Sequence, residues 1–223
     1  DGLTVWFRDE CVLRYDENGQ PIGLEGVLLD ITDQKEAKHK AAHLSLLHAV
    51  LLRASQSIAR CRDPEELLEN ICRTLVEESA VCMCWVGLYD PLEDELSLAA
   101  AAGGVCLQHA DRQQMLAFLL PPAQAAIASG ETLVCNDLRD EEAQWAREAA
   151  ERSGRSLAVF PLCMENTVRG VLALYAAEAY FFDREHVQLF TDLAQSVALA
   201  LENIRNEAEH RQAEIALRLS EEK

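Results

Sequence analysis

The amino-acid sequence predicts an α+β fold, in which helices are layered on both faces of a central antiparallel sheet and long helices flank it. Two observations predict this class. The strand patterns occur as neighbouring pairs joined by short turns, which is typical of antiparallel hairpins. The helical patterns lie before, between and after these pairs, and the last of them is the longest.

Composition and charge narrow the class of protein. The 223 residues are 26% charged and 49% hydrophobic, as expected of a soluble globular protein. A net charge of −18 disfavours binding to nucleic acid or to an anionic membrane surface. The eight cysteines fall mostly in apolar runs, so we expect reduced thiols in a cytoplasmic protein. No apolar run is long enough to span a bilayer.

The first 33 residues predict a β-hairpin. Two β-rich runs, 4–14 and 22–32, flank the sequence Asp-Glu-Asn-Gly at 16–19, and its Asn-Gly pair predicts a type I′ turn. Two strands bury little surface without a partner layer. Because the chain opens with Asp1 rather than methionine, we also expect it to be a piece of a longer protein.

Helical spacing begins after the hairpin. Apolar residues recur three, four or seven positions apart through residues 34–61, which predicts a linker helix. A second helix is predicted from Pro64 to about Ser79, because Asp63 is a favourable N-cap and proline fits the first helical turn.

The remaining elements complete the α+β order. The predicted strands are 82–90, 95–103, 132–136, 156–164 and 168–176, and the predicted helical segments are 112–120, 123–129 and 141–152, the last capped by Asp140. The final two strands turn at Glu165-Asn166, and a last helix begins after an Asp183 cap.

The last helix has the apolar spacing of a two-stranded coiled coil. The a and d positions are filled by Phe190, Ala194, Val197, Leu201, Ile204, Ala208 and Ile215. A second interpretation is that residues 190–204 pack on the chain's own sheet, and both can hold on different faces. We expect a homodimer with contacts at Leu44, Leu51, Val197, Leu201 and Ile204.

Several segments resemble known signalling domains. Residues 26–33 (GVLLDITD) resemble the exit of a PAS domain, so that residues 1–33 would be its closing hairpin. Residues 44–204 resemble a GAF domain. The segments that carry this resemblance are SGETLVCND at 129–137, RSLAVFPL at 155–162, GVL at 170–172 and FD at 182–183.

The end of the chain resembles the helix that leads into a further PAS domain. Residues 205–223 would then be a coiled-coil linker to a following domain, and the linker helix 34–61 would overlap the start of the GAF domain. Together these resemblances imply a multidomain sensor of bacterial type. They also imply an effector elsewhere in the same longer protein, such as a histidine kinase or a cyclic-dinucleotide enzyme.

Strand alternation and the GAF resemblance together suggest a ligand pocket. Cys82 and Cys84, at i and i+2, should share one face of their strand as core residues, which sends Trp85 and Tyr89 to the other. The predicted pocket wall is Trp85, Tyr89, Ala101, Ala123, Trp145, Ser156 and Ala158. The two tryptophans would stack on a planar ligand with Ser156 as a polar anchor. The alternative is that the tryptophans are core residues and side chains fill the cavity.

Two other functions stay open as alternatives. Methionine sulfoxide reductases of the GAF family use cysteines near the Asn-Asp segment, where this chain offers Cys135 but no cysteine from 136 to 162. A haem or redox sensor would use cysteines together with His109, which lies close to Cys106. No glycine-rich phosphate loop occurs.

The expected function is therefore a non-catalytic sensory or regulatory module. It would bind a small ligand, dimerise, or do both, and relay a signal through its flanking helices. The sequence names neither a ligand nor a cofactor, and we expect no metal site.

Overall fold

The computed structural model divides the chain into two compact units, Asp1–His48 and Ala49–Lys223. The described residues are 5–34, 52, 56, 58, 61–104, 112–152 and 154–221.

The first unit contains the predicted hairpin. Strands β1 (Phe7–Tyr15) and β2 (Pro21–Asp30) pair antiparallel. The turn differs from the predicted type I′, because only Gly19 of the Asn-Gly pair has a positive φ, +78°. The Asp16 carboxylate accepts hydrogen bonds from the amides of Asn18 (2.9 Å) and Gln20 (2.8 Å). These bonds favour a three-residue loop that ends in a left-handed glycine.

The second unit is built on one five-stranded sheet. Its strands are β3 (Val81–Asp90), β4 (Glu95–Gly103), β5 (Leu133–Cys135), β6 (Ser156–Met164) and β7 (Thr167–Ala176). The strand order is β4-β3-β7-β6-β5, and every pair is antiparallel. The predicted two-residue turn at Glu165 and Asn166 is confirmed, since both residues have positive φ, 50° and 62°.

Four helices are described in this unit. They are α1 (Pro64–Glu78), α2 (Arg112–Ser129), α3 (Gln144–Arg152) and α4 (Arg184–Glu221). The predicted caps of α1 and α4 are confirmed. The carboxylate of Asp63 accepts the amide of Glu65 at 3.0 Å, and that of Asp183 accepts the amide of His186 at 3.0 Å. No described helix is both long and apolar enough to cross a membrane.

Two helix boundaries differ from the prediction. The structure has one helix, α2, running through Pro121 and Pro122, where two segments were expected. Phe118 and Ala126, on either side of the prolines, are both buried in one core cluster, so packing outweighs the lost backbone bonds.

Helix α3 begins later than expected. Its first turn forms where the Ala146 amide donates to the Ala143 carbonyl at 3.1 Å. Asp140 instead donates its amide to the Asp137 carbonyl at 3.1 Å, within a preceding turn, and is not the cap.

The sheet has helices on both faces. On the α2–α3 face, Met83, Trp85 and Val159 belong to one core cluster with residues of α2 and α3. On the α1–α4 face, Cys84 Sγ lies 3.4 Å from Cys72 Sγ of α1, and the Phe160 ring lies 6.0 Å from the Phe190 ring of α4. The predicted α+β architecture is confirmed.

Candidate functional site

The candidate site lies at the centre of the α2–α3 face, around two aromatic side chains. Trp85 of β3 is 2% exposed and Tyr175 of β7 is fully buried. The Trp85 Nε1 and the Tyr175 Oη have no hydrogen-bond partner within the described part of the chain. The indole N–H lies beside the hydroxyl without the geometry of a hydrogen bond. Burial raises the pKa of Tyr175, which keeps its hydroxyl a neutral donor.

Unsatisfied polar atoms in a core cost free energy. A buried donor without a partner is destabilising by about 1–3 kcal/mol. Most buried polar groups in proteins are therefore paired, and exceptions call for a specific explanation. The Trp85 and Tyr175 side chains can each donate a hydrogen bond to an acceptor.

A buried thiol belongs to the same cluster. Cys135 of β5 is 5% exposed, and its Sγ lies 3.5 Å from Glu141 Oε1. Burial and the negative charge of Glu141 raise the pKa of Cys135 to about 12. The thiolate, which is the nucleophilic form of cysteine, is therefore disfavoured here.

An ion pair between Asp137 and Arg155 stabilises the loop beside Cys135. The Asp137 carboxylate accepts a hydrogen bond from the Arg155 guanidinium and another, 3.2 Å long, from the Arg139 amide. Burial opposes ionisation of Asp137, but these bonds outweigh it and lower its pKa below the usual value. The Leu138 amide also donates to the Arg155 carbonyl at 2.7 Å. Residues 136–140 are thereby held to the start of β6.

Four of the predicted wall residues come together on this face. Trp85 and Ala123 belong to the core cluster, and Ala101 and Trp145 pack against it half-buried. Tyr89 lies further along β3, where its hydroxyl donates to Asp94 Oδ1 at 2.7 Å.

Ser156 and Ala158 lie on the opposite face, which corrects the predicted wall. Their neighbours Leu157 and Val159 take the α2–α3 face, and Ala158 pairs with Leu174 on the other. Strand side chains alternate with period two, so a one-residue error in phase moves both residues. The Ser156 hydroxyl donates to the Glu178 carbonyl at 2.7 Å and is no free anchor.

Sequence reasoning missed Tyr175, Asp137 and Arg155 as site residues. The only signal for Tyr175 was its alternation with Val171 and Ala173 along β7. The contact between Asp137 and Arg155 joins residues 18 positions apart, which no local pattern reveals.

The family model described as GAF domain matches residues 61–202. The chain belongs to the GAF domain family. The GAF-like fold expected from the sequence, an antiparallel sheet with helices on both faces, is likewise confirmed.

A curated relative and two solved structures place this GAF domain among known proteins. The bacterioopsin transcriptional activator of Halobacterium salinarum (strain ATCC 700922 / JCM 11081 / NRC-1) is 25% identical in an alignment of length 203 that covers 85% of this chain. The chain spans 28% of that relative's length.

The structural neighbours share the fold. A free methionine-R-sulfoxide reductase from Neisseria meningitidis, in complex with its substrate, has a TM-score of 0.61 and 24% identity, covering 73% of this chain and 92% of the reductase. The GAF domain of an Acinetobacter phosphoenolpyruvate-protein phosphotransferase has a TM-score of 0.55 and 16% identity, covering 71% and 93%.

The paired cysteines of the GAF sheet do not share a face as predicted. The pairing of β3 with β7 shifts between Val81 and Met83, so Cys82 occupies a bulge. Cys82 packs against the cluster of the α2–α3 face, whereas Cys84 faces α1. Cys84 is fully buried, in agreement with a core role.

The haem alternative involves residues outside the described part of the chain, since His109 and Cys106 are not among the described residues. Within the described residues, no group of three or more His, Cys, Asp or Glu side chains is arranged to hold a metal ion.

Of the five residues expected at a dimer contact, the structure describes three. Leu44 and Leu51 lie outside the described residues. Val197 is fully buried and Leu201 is 7% exposed, so both pack within this domain, as the second interpretation of the last helix expected. Ile204 is half-buried, and Leu199, at 59% exposed, is a large apolar side chain on the outer face of α4.

Proposed function

We propose that this GAF domain is a non-catalytic sensory module that binds a small ligand on its α2–α3 face and relays the change through α4. The observation that carries the proposal is the pair of buried donors, Trp85 Nε1 and Tyr175 Oη, without partners in the described structure. A ligand with an acceptor between them would satisfy both, and apolar neighbours such as Ala123 would enclose its body.

The relay rests on the continuity of α4. This helix has 38 residues, which corresponds to a length of about 57 Å. Its first half is buried against the sheet as far as Leu201, and residues 206–211 are exposed. A shift of the sheet would therefore move the far end of the same helix. A ligand signals only if it binds two arrangements of this element with different affinity.

We further propose that the module works as a homodimer, with the outer face of α4 and the linker helix meeting their counterparts in a second copy. In this arrangement, residues 1–33 close a PAS domain, 34–61 are the linker helix, 44–204 the GAF domain and 205–223 the coiled coil toward an effector. A histidine kinase or a cyclic-dinucleotide enzyme fits that effector. A regulatory role is supported by the relative that is named a transcriptional activator.

A second candidate function is reduction of free methionine sulfoxide. The likeness to the Neisseria reductase favours it. The Cys135 thiol argues against the reductase function, because its raised pKa leaves almost no thiolate at neutral pH. The ligand-binding function is therefore the better supported of the two.

A thermal-shift screen with metabolites tests the proposal. At a ligand concentration of about 100 Kd, the free energy of unfolding rises by about 2.7 kcal/mol, which raises Tm by about 5–10 °C. Trp85→Phe keeps an aromatic side chain and removes the indole donor, so a ligand found in the screen should bind about tenfold more weakly. The matched control is Trp6→Phe in the hairpin. A library without hits, or equal responses of the two variants, would overturn the proposal.

A further inference from the structure

A groove of about 570 Å³ lies between the start of α1, the end of β3, the start of β7 and residues 201–211 of α4. Neither Trp85 nor Tyr175 lines it. Its floor is apolar and is formed by Leu88, Met164, Leu201, Ile204 and Ala208. This volume is in the range of small-molecule sites in proteins, about 300–1,000 Å³.

The groove is basic although the protein is strongly acidic. The chain carries a net charge of −18, yet among the described residues four arginines and two acidic residues line the groove. Two of the arginines have carboxylate partners. Arg62 Nη1 lies 3.7 Å from Glu207 Oε2, and Arg205 Nη2 lies 2.8 Å from Glu165 Oε1.

The other two arginines of the groove are Arg169 and Arg211. Within the described part of the chain, no carboxylate lies within ion-pair distance of either guanidinium. Positive charge is therefore available at this groove for a ligand.

The backbone gives Arg169 an unusual position. In the pairing of β6 with β7, Leu162 is opposite Gly170 and the next residue, Cys163, is opposite Val168. Arg169 is thus the extra residue of a β-bulge, a feature that redirects a side chain. Its side chain is half-buried in the groove. A half-buried guanidinium without a carboxylate suits an anion, which it can bind through two parallel hydrogen bonds.

We propose that this groove binds a small organic acid with an apolar body. The carboxylate would lie at Arg169 and Arg211, and the body would cover Leu88 and Ile204. Charge complementarity selects this occupant, because an acid supplies a carboxylate to two arginines that have no such partner among the described residues. The site is separate from the Trp85–Tyr175 pair and does not depend on the function proposed there.

A ligand in this groove would also contact α4, the helix that we propose relays the signal. Six of its lining residues belong to α4, in the stretch where the helix leaves the sheet. A bound acid would bridge this stretch to β3 and β7. Amides of residues 201–211 should then exchange hydrogen more slowly.

Isothermal titration of the full chain with 2-naphthoate tests the proposal. The neutral analogue 2-naphthylmethanol has the same rings without the charge, and we expect it to bind at least tenfold more weakly. Arg169→Gln should weaken naphthoate binding about tenfold, the loss expected for a charged hydrogen-bonding partner. Arg147→Gln is the matched control, since Arg147 is an exposed arginine on α3, and it should bind as the wild type does.

Two further variants keep the test decisive. Ala208→Trp fills the groove from an exposed helix position and should abolish naphthoate binding without affecting folding. Trp85→Phe should leave naphthoate binding unchanged, which separates this groove from the other site. Equal affinities for acid and alcohol, equal affinities of the Arg169 and Arg147 variants, or a groove occupied by a second copy at the concentrations used would each overturn the proposal.

Discussion

Cys135 illustrates how the surroundings of a side chain decide its chemistry. Its thiol is buried beside Glu141, and its pKa is raised to about 12. At pH 8, iodoacetamide should therefore alkylate Cys135 at least about a hundredfold more slowly than the exposed Cys163. Its rate should still rise about tenfold per pH unit up to pH 10, since the thiolate forms only near the raised pKa. Peptide mass spectrometry of the folded chain measures both rates.

A fast reaction of Cys135 at neutral pH would contradict this description. Glu141→Gln provides the matched control, because it removes the charge and keeps the shape. The pKa of Cys135 should then fall, and its alkylation should become faster.

Among single residues, the sequence predicted which side chain types belong to the site better than it predicted the face of the sheet on which each lies. Trp85 was identified from strand alternation and Ala123 from the GAF resemblance, and both belong to the core cluster of the α2–α3 face. Ser156 and Ala158 did not, because the phase of a strand buried on both faces leaves no polar-apolar contrast to read. Tyr175 was missed for the same reason, since β7 is buried on both sides.

The N-terminus of α4 permits a prediction about an element. Burial opposes the charge of Asp183, but hydrogen bonds from His186 and from the Glu185 amide outweigh it and lower the Asp183 pKa. Asp183→Ala should reduce the free energy of unfolding by about 1 kcal/mol at pH 7. Because the folded-state pKa is lowered, this contribution is complete above the unfolded-state pKa of about 3.9 and is lost as pH falls through the folded-state value.

Urea denaturation at pH 7, 5 and 3 checks the role of the cap. The difference between wild type and Asp183→Ala should narrow only at the lowest pH. Asp183→Asn keeps the accepting oxygen, so it should lose much less stability than the alanine variant. Equal losses in the two variants would show that the cap bond does not stabilise α4.

The outer face of α4 carries the prediction about assembly. Leu199 is 59% exposed there, and Leu92, 93% exposed in the β3–β4 turn, offers a matched position. Leu199→Glu should convert a dimer to a monomer in light-scattering measurements, because it places a charge in the interface. Leu92→Glu should leave the mass unchanged. A monomeric wild type, or an unchanged mass for Leu199→Glu, would contradict the proposed dimer.

Elements were predicted well where a local signal marks them. The caps at Asp63 and Asp183 and the turn at Glu165-Asn166 are local chemistry, and each lies where the sequence placed it. Helix α2 was predicted as two segments because its prolines are local stop signals. Its continuity depends on the shared core of Phe118 and Ala126, which only tertiary contacts establish.

For the whole molecule, the order of elements was sufficient to predict the α+β class, and the family resemblance supplied the GAF fold. Short turns fix the pairs β3–β4 and β6–β7, whereas the pairing of β3 with β7 joins distant parts of the chain. That pairing is supplied by the family resemblance, and local sequence does not encode it. The groove with its bulged Arg169 was not foreseen either, since a bulge depends on the register between strands.

The proposed absence of catalysis is tested most directly by NMR of the full chain with free methionine-R-sulfoxide and dithiothreitol. The Neisseria reductase, assayed in parallel, serves as the positive control. Our account predicts that the reductase forms methionine and that this GAF domain leaves the sulfoxide unchanged. Formation of methionine by this chain, abolished in Cys135→Ser, would contradict it.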